Sequence, residues 1–229
     1  MEKKNIWIIS VVILLAALIV AGGMSQIARQ QRTVTVRGLA ERDVPADMAI
    51  WPLTFSVGSN DLSQLQTDIM SKIEIVKAYL QEKGLSEADY TIKSADITDN
   101  SVNPWLTEKG RYTYLAKQVI LVRSSNVEAV MAAQASSLDL AGKGIAVSQD
   151  YDSMISFEFT KLNDIKPEMI AEATQNAREV AEQFARDSHS KVGKISQATQ
   201  GYFTIENAAQ GLEQVKHVRV VTSIVYLLK

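Results

Sequence analysis

Cysteine is absent from all 229 residues, which removes disulfides, thiolate metal ligands and thiol nucleophiles together. Histidine occurs only at positions 189 and 217, outside any ligand motif, so a zinc site would have to recruit carboxylates. Only four prolines interrupt the chain, no tract has low complexity, and no motif repeats at a fixed period. Excess positive charge is also missing. Of 24 basic and 26 acidic residues, Lys3, Lys4 and Arg29 against Glu2 fall before Arg32, so residues 32–229 carry 21 and 25, a net charge of −4. Phosphate backbones need a basic footprint, and nucleic acid is therefore excluded as an expected partner.

One long apolar run exists, Ile6 to Met24, with Ser10 its only polar side chain. A helix of that length rises far enough to cover most of a bilayer core of roughly 30 Å. Residues 6–24 are read as a transmembrane anchor, 1–5 as a cytoplasmic tail, 25–31 as a linker and 32–229 as a water-soluble domain. Lys3 and Lys4 abut the run, whereas Arg29, Arg32 and Arg37 follow at a distance, which puts the amino terminus inside. The alternative is a signal peptide, since a basic start, an apolar centre and the small residues Ala21, Gly22 and Gly23 also fit one. Ala17 and Ala21 are spaced for close helix approach, or are ordinary alanines in lipid.

Beyond Arg32 the apolar residues change period. Val34 and Val36 alternate with Thr33, Thr35 and Arg37, and Leu53, Phe55 and Val57 alternate after the turn signal Val44-Pro45-Ala46-Asp47, which predicts a first β-hairpin. Pro52 places its strand at an edge or a bulge. Asp61 with Gln64 predicts a capping box, opening a helix whose stripe is Leu62, Leu65, Ile69, Ile73, Val76 and Leu80 and which Gly84 stops. Residues 90–97 read as a strand and 98–110 as a polar loop, in which Trp105 is either buried or an exposed partner or membrane-interface contact. A long interior strand follows, with Tyr112, Tyr114, Ala116, Ile120 and Val122 on one face and Leu115, Val119 and Leu121 on the other.

Ser125 and Glu128 predict a second box and the stripe Val127, Met131, Ala135, Leu138, ended by Gly142 and Gly144. Ile155, Phe157 and Phe159 then alternate. The third helix has Pro167 in its first turn, Ala173, Ala177, Ala181 and Ala185 as a close-packing seam beside Met169, Val180 and Phe184, and a solvated side with Glu172, Arg178, Glu179, Glu182 and Arg186. After Gly193 a strand runs from Ile195 to Ile205, and 207–211 turn. The last strand sets Val218, Val220, Thr222, Ile224, Tyr226 and Leu228 against Val221, Val225 and Leu227, so it is either central or covered by another subunit. The order β-β-α-β-β-α-β-α-β-β predicts a two-layer α+β domain with helices on one side of a largely antiparallel sheet.

No residue cluster spells out a reaction. His189 falls where the third helix ends, a place that favours a cationic or left-handed-tolerant residue. His217 belongs on the surface beside Lys216 and Arg219. Glu41 with Asp43, and Asp150 with Asp152, can each project from one strand face, to hold a cation or as solvated acids. No nucleophile elbow supports a serine triad through Asp150, and Gly142-Lys143-Gly144 lacks the rest of a phosphate loop. Catalytic, cofactor-binding and metal-binding residues are therefore all expected to be none.

The stretch Val34-Thr-Val36-Arg37-Gly38 with Glu41 and Pro45-Ala46-Asp47 resembles the first hairpin of the SIMPL-domain proteins of bacterial envelopes. Residues 159–170, from Phe159-Thr160-Lys161-Leu162 through Pro167 to Ile170, with Ala173, Asn176-Ala177-Arg178, Ala181 and Ala185, are similar to the alanine-seamed helix of one subgroup of that family. Gly193-Lys194-Ile195, Gln200-Gly201 and Val218-Arg219-Val220-Val221-Thr222 extend the resemblance, and His189 departs from it, standing where a small residue or Gly is common. The resemblance implies an α+β domain, export or envelope anchoring, ring-like or channel-like homo-oligomers in some members, and a loose link to oxidative-stress tolerance. It brings no catalytic residues. The resulting expectation is a membrane-anchored, extracytoplasmic, non-enzymatic homo-oligomer; the alternative is an envelope enzyme or small-ligand binder using carboxylate and hydroxyl side chains.

Overall fold

The computed structural model describes Ala16, residues 32–102 and residues 112–229. The expected anchor at 6–24 apart from Ala16, the tail and linker around it, and Trp105 lie outside the described residues. None of the described helices is long and apolar enough to cross a membrane.

Among the described residues, nine strands and four α-helices are arranged as a mixed α+β fold: β1 (Thr33–Pro45), β2 (Met48–Ser59), α1 (Leu62–Glu82), β3 (Tyr90–Ile92), β4 (Asp96–Asp99), β5 (Tyr114–Ser124), α2 (Val127–Ala135), α3 (Asp139–Gly142), β6 (Ser156–Glu158), α4 (Leu162–Asp187), β7 (Val192–Gln200), β8 (Thr204–Asn207) and β9 (Val215–Leu228). Two sheets form, where one was expected. The first has the order β1-β9-β7 with β8 also on β9; the second has the order β3-β5-β2-β6 with β4 also on β5. The β1–β2 hairpin is therefore corrected: β1 pairs with β9 and β2 with β5, and Ala46-Asp47 carries the chain from one sheet to the other. Local alternation reveals that two strands exist, but a turn sequence does not say whether they pair.

By contacts the chain forms two compact units, one from residues 32–40, Glu168–Tyr202 and Val220–Lys229, the other from Glu41–Pro167 and Phe203–Arg219. In the first, Val34 and Val36 of β1, Ala177 and Ala181 of α4, and Ile224 and Tyr226 of β9 make the core. The predicted alanine seam is buried, from Met169 through Ala173, Ala177 and Ala181 to Ala185. Gly38 explains how close the seam lies. A Cβ built on it would fall 1.8 Å from the Ala173 carbonyl oxygen and 2.5 Å from the Ala177 nitrogen. Helix and strand thus touch backbone to backbone, and the Asn176 side-chain amide donates to the Leu39 carbonyl at 2.7 Å beside the contact. Val180 and Phe184 stay exposed on the helix.

In the second unit α1 and α2 pack on β2 and β5. Ala49, Trp51, Leu53, Phe55 and Val57 all face this core from β2, and Leu65, Ile69, Ile73, Val76 and Leu80 meet them from α1. Leu62 is corrected to an exposed position. Asp61 caps α1 through the Gln64 N–H at 2.8 Å, but the box is not reciprocal, because the Gln64 side chain donates to Asp68. Pro52 lies two residues past Ile50, the last β2 position paired with β6, so it has a strand neighbour on one side only, Leu121 of β5.

The strand expected over 90–97 is broken in two. β3 and β4 pair with β5 in registers that differ by one residue, and the buried Gln118 fills the step, its amide donating to the Lys93 carbonyl at 2.7 Å and to the Val119 carbonyl at 3.0 Å. β5 is interior as expected, though only one of its faces is sealed and Leu115 is exposed. For α2 the cap is Asn126 and not Ser125, and Val130 and Ala133 are the buried positions, with Leu138 in solvent. Apolar side chains surround that helix, so periodicity alone could not select its inner face. The predicted strand 195–205 divides into β7 and β8 around exposed Tyr202, and β9 is central in its sheet.

Helix α4 starts a turn earlier than its proline suggests. The Asp47 carboxylate accepts from the Thr160 N–H at 2.8 Å and the Lys161 N–H at 3.1 Å, fixing the chain just before Leu162. Pro167 consequently lies inside the helix, where its missing donor leaves the turn before it one bond short.

Candidate functional site

The acids Glu41 and Asp43 do share a strand face, on β1, and what they meet is His217 and Arg219 of β9. His217 on β9 places Nδ1 2.6 Å from Asp43 Oδ1 and Nε2 3.8 Å from Glu41, while Arg219 Nε lies 3.4 Å from Glu41. The Asp43 hydrogen bond is the main cause that raises the His217 pKa above its ordinary value; desolvation opposes it, and the negative charges of Asp43 and Glu41 add to the rise. All four groups are open to solvent. The cluster is a cross-strand latch, with Asp43 hydrogen-bonded to His217 and Glu41 beside Arg219.

The other predicted positions resolve into structure. Asp150 precedes a single 3-10 turn, Tyr151–Ser153, and Asp152 lies within it; both are exposed, so the shared strand face expected for them is corrected. His189 sits at φ 53° immediately past α4, with its own N–H on the Arg186 carbonyl at 3.1 Å and the Ser190 N–H on the Ala185 carbonyl at 2.8 Å. That is a Schellman ending with histidine in the position glycine favours. Gly84 and Gly144 make the same ending after α1 and α3, and Lys72 donates its ammonium to the Gly144 carbonyl, so Gly142-Lys143-Gly144 is a helix terminus. Among the described residues, no group of three or more His, Asp or Glu is placed to hold a metal ion.

Sequence reasoning missed a recess of about 310 Å³ in the second unit, lined by Trp51 and Phe157 on its apolar side and by Gln134, Gln149, Ser153 and Glu213 among its polar groups. The Ser153 hydroxyl is buried and has no hydrogen-bond partner among the described residues. Glu213 is held below the usual carboxylate range, first by its own backbone N–H and then by that of Gly211 at 3.0 Å. Nearby in sequence, Lys216 is buried, and desolvation lowers its pKa, with the charges of Glu213 and Glu158 opposing. Hydroxyl, amide and ionised carboxylate together offer hydrogen bonds to a small polar molecule. The signal was invisible beforehand because the recess is assembled from β2, α2, a 3-10 turn, β6 and the 208–214 turn.

These features define a mixed α+β protein of largely antiparallel sheets with a salt-linked strand pair and a polar recess. The model of the SIMPL family (Protein of unknown function, DUF541) matches residues 34–222, from the first buried valine of β1 into β9, and the chain belongs to that family. No curated protein matches it.

Proposed function

We propose that the protein is a single-pass component of a bacterial envelope, held in the inner membrane by residues 6–24 with its amino terminus inside. Residues 32–229 then work in the periplasm by self-association, in a scaffolding, channel-like or stress-protective role, and not by turning over a substrate. The observation that carries this reading is the outer row of β9. α4 covers one face of the sheet, yet Val221, Val225 and Leu227 on the opposite row remain only half-buried, and Leu39 of β1 is exposed. Apolar rows left partly in water on a central strand favour association. Light scattering on the full chain in detergent tests it: an oligomer that Val225→Glu reduces to smaller species supports the reading, and a monomer at high concentration refutes it. An alkaline phosphatase fusion after residue 229, active only outside the cytosol, tests the location.

The second reading, a small-ligand binder or envelope enzyme, is favoured by the unpartnered Ser153 hydroxyl in a polar recess. A Ser153→Ala variant that loses saturable binding of a polar metabolite, at unchanged oligomeric state, would move the conclusion to this reading.

A further inference from the structure

A groove of about 500 Å³ runs along α1 beside β3 and β4. Leu62, Ile69, Met70 and Ile73 line it from the helix, and Ile92 and Ile97 from the strands. Leu62, Met70, Ile92 and Ile97 keep 51, 57, 43 and 48% of their surface in water, so the apolar rim is costly when empty. The polar lining is sparse. Gln118 is pinned by its two bonds to backbone carbonyls, Gln66 is neutral, and Lys93 brings the one formal charge. No acid lines the groove, and Lys93 has no ion-pair partner among the described residues.

The length and lining of the groove select its occupant. Its volume falls in the range of small-molecule sites. From Leu62 to Ile73 the helix advances roughly 16 Å, which suits one extended acyl chain of about a dozen carbons. The lone cation supplies the complement to a terminal carboxylate. We propose that this groove binds a medium-chain fatty acid, its chain lying along α1 and its carboxylate on Lys93. This site is independent of both readings above, since neither the β9 row nor Ser153 takes part.

The test uses the full chain in detergent-free lipid nanodiscs and a photoactivatable dodecanoic acid carrying a diazirine near its methyl end. Crosslinks are expected on residues 62–73 and 92–97. Competing octanoate, decanoate and dodecanoate should gain about fourfold in potency per added methylene, levelling beyond the length of the groove. Lys93→Gln should weaken dodecanoate by about fivefold at low salt and leave dodecanol unchanged, because an exposed ion pair is worth little more. Met70→Glu should remove labelling, and because Met70 is exposed its thermal melt should stay that of the parent. Crosslinks spread over other surfaces, potency that keeps rising with chain length, or equal loss of dodecanol and dodecanoate in Lys93→Gln would each overturn the proposal.

Discussion

Replacing Gly38 by alanine tests the contact that seats α4 on its sheet. The added Cβ would stand 1.8 Å from the Ala173 oxygen, 2.5 Å from the Ala177 nitrogen and 2.8 Å from the Ala177 Cβ, against 3.4 Å for an ordinary contact. Two of the three obstacles are backbone of a continuous helix, so no rotamer change relieves them, and strand and helix must separate by about 1.6 Å. Separation on that scale loosens Val34, Val36, Ala177, Ala181, Ile224 and Tyr226 together. Overpacking costs about 1–3 kcal/mol where side chains can yield; with backbone on both sides we expect about 3 kcal/mol or more. For a chain of this size that is a fall in Tm of roughly 6–12 °C, read by calorimetry on the full chain. Ala177→Gly in the same molecule removes only the 2.8 Å clash, so rescue should be partial. Gly58→Ala is the contrast, because its nearest obstacle, 2.3 Å away, is the Tyr112 ring, which can swing aside. A Gly38→Ala protein melting within a degree or two of the parent would refute the backbone contact.

The left-handed helix endings give paired expectations: His189→Gly should stabilise by about 1 kcal/mol and Gly84→Ala should destabilise by a similar amount, both measured by thermal melts. Opposite signs are required; a neutral His189→Gly would mean that histidine is not strained there. The latch makes stability depend on pH. Since the His217 pKa is raised on folding, its contribution is fully present below the unfolded value of about 6.5 and is lost as pH rises through the folded one. An NMR titration should place the His217 midpoint lower in Asp43→Asn, and an unmoved midpoint would rule out Asp43 as the main cause. Tyr79→Phe should cost about 1–2 kcal/mol in denaturant melts, because the phenol donates to the Ala133 carbonyl at 2.5 Å and lies 2.9 Å from Ser136 Oγ, leaving a buried acceptor unpaired when removed. A cost near zero would show that water reaches that carbonyl.

What the residues determined by themselves was local and periodic. Alternation at Val34 and Val36, the four-residue alanine step of α4, the apolar stripe of α1 and the left-handed position at His189 each follow from short-range geometry that any fold must respect. Family membership was legible for the same reason, through short runs of residues around those elements. Tertiary structure alone decided pairing and convergence. It sent β1 to β9 and β2 to β5, broke residues 90–97 at Gln118, turned α2 about its axis, and brought Glu41 and Asp43 to His217 and Arg219 from almost the other end of the chain. The Ser153 recess and the Lys93 groove belong to that second class, since each draws its walls from segments far apart in sequence. Such placements depend on which buried surfaces fit each other, a free-energy comparison between whole arrangements that no stretch of sequence carries on its own.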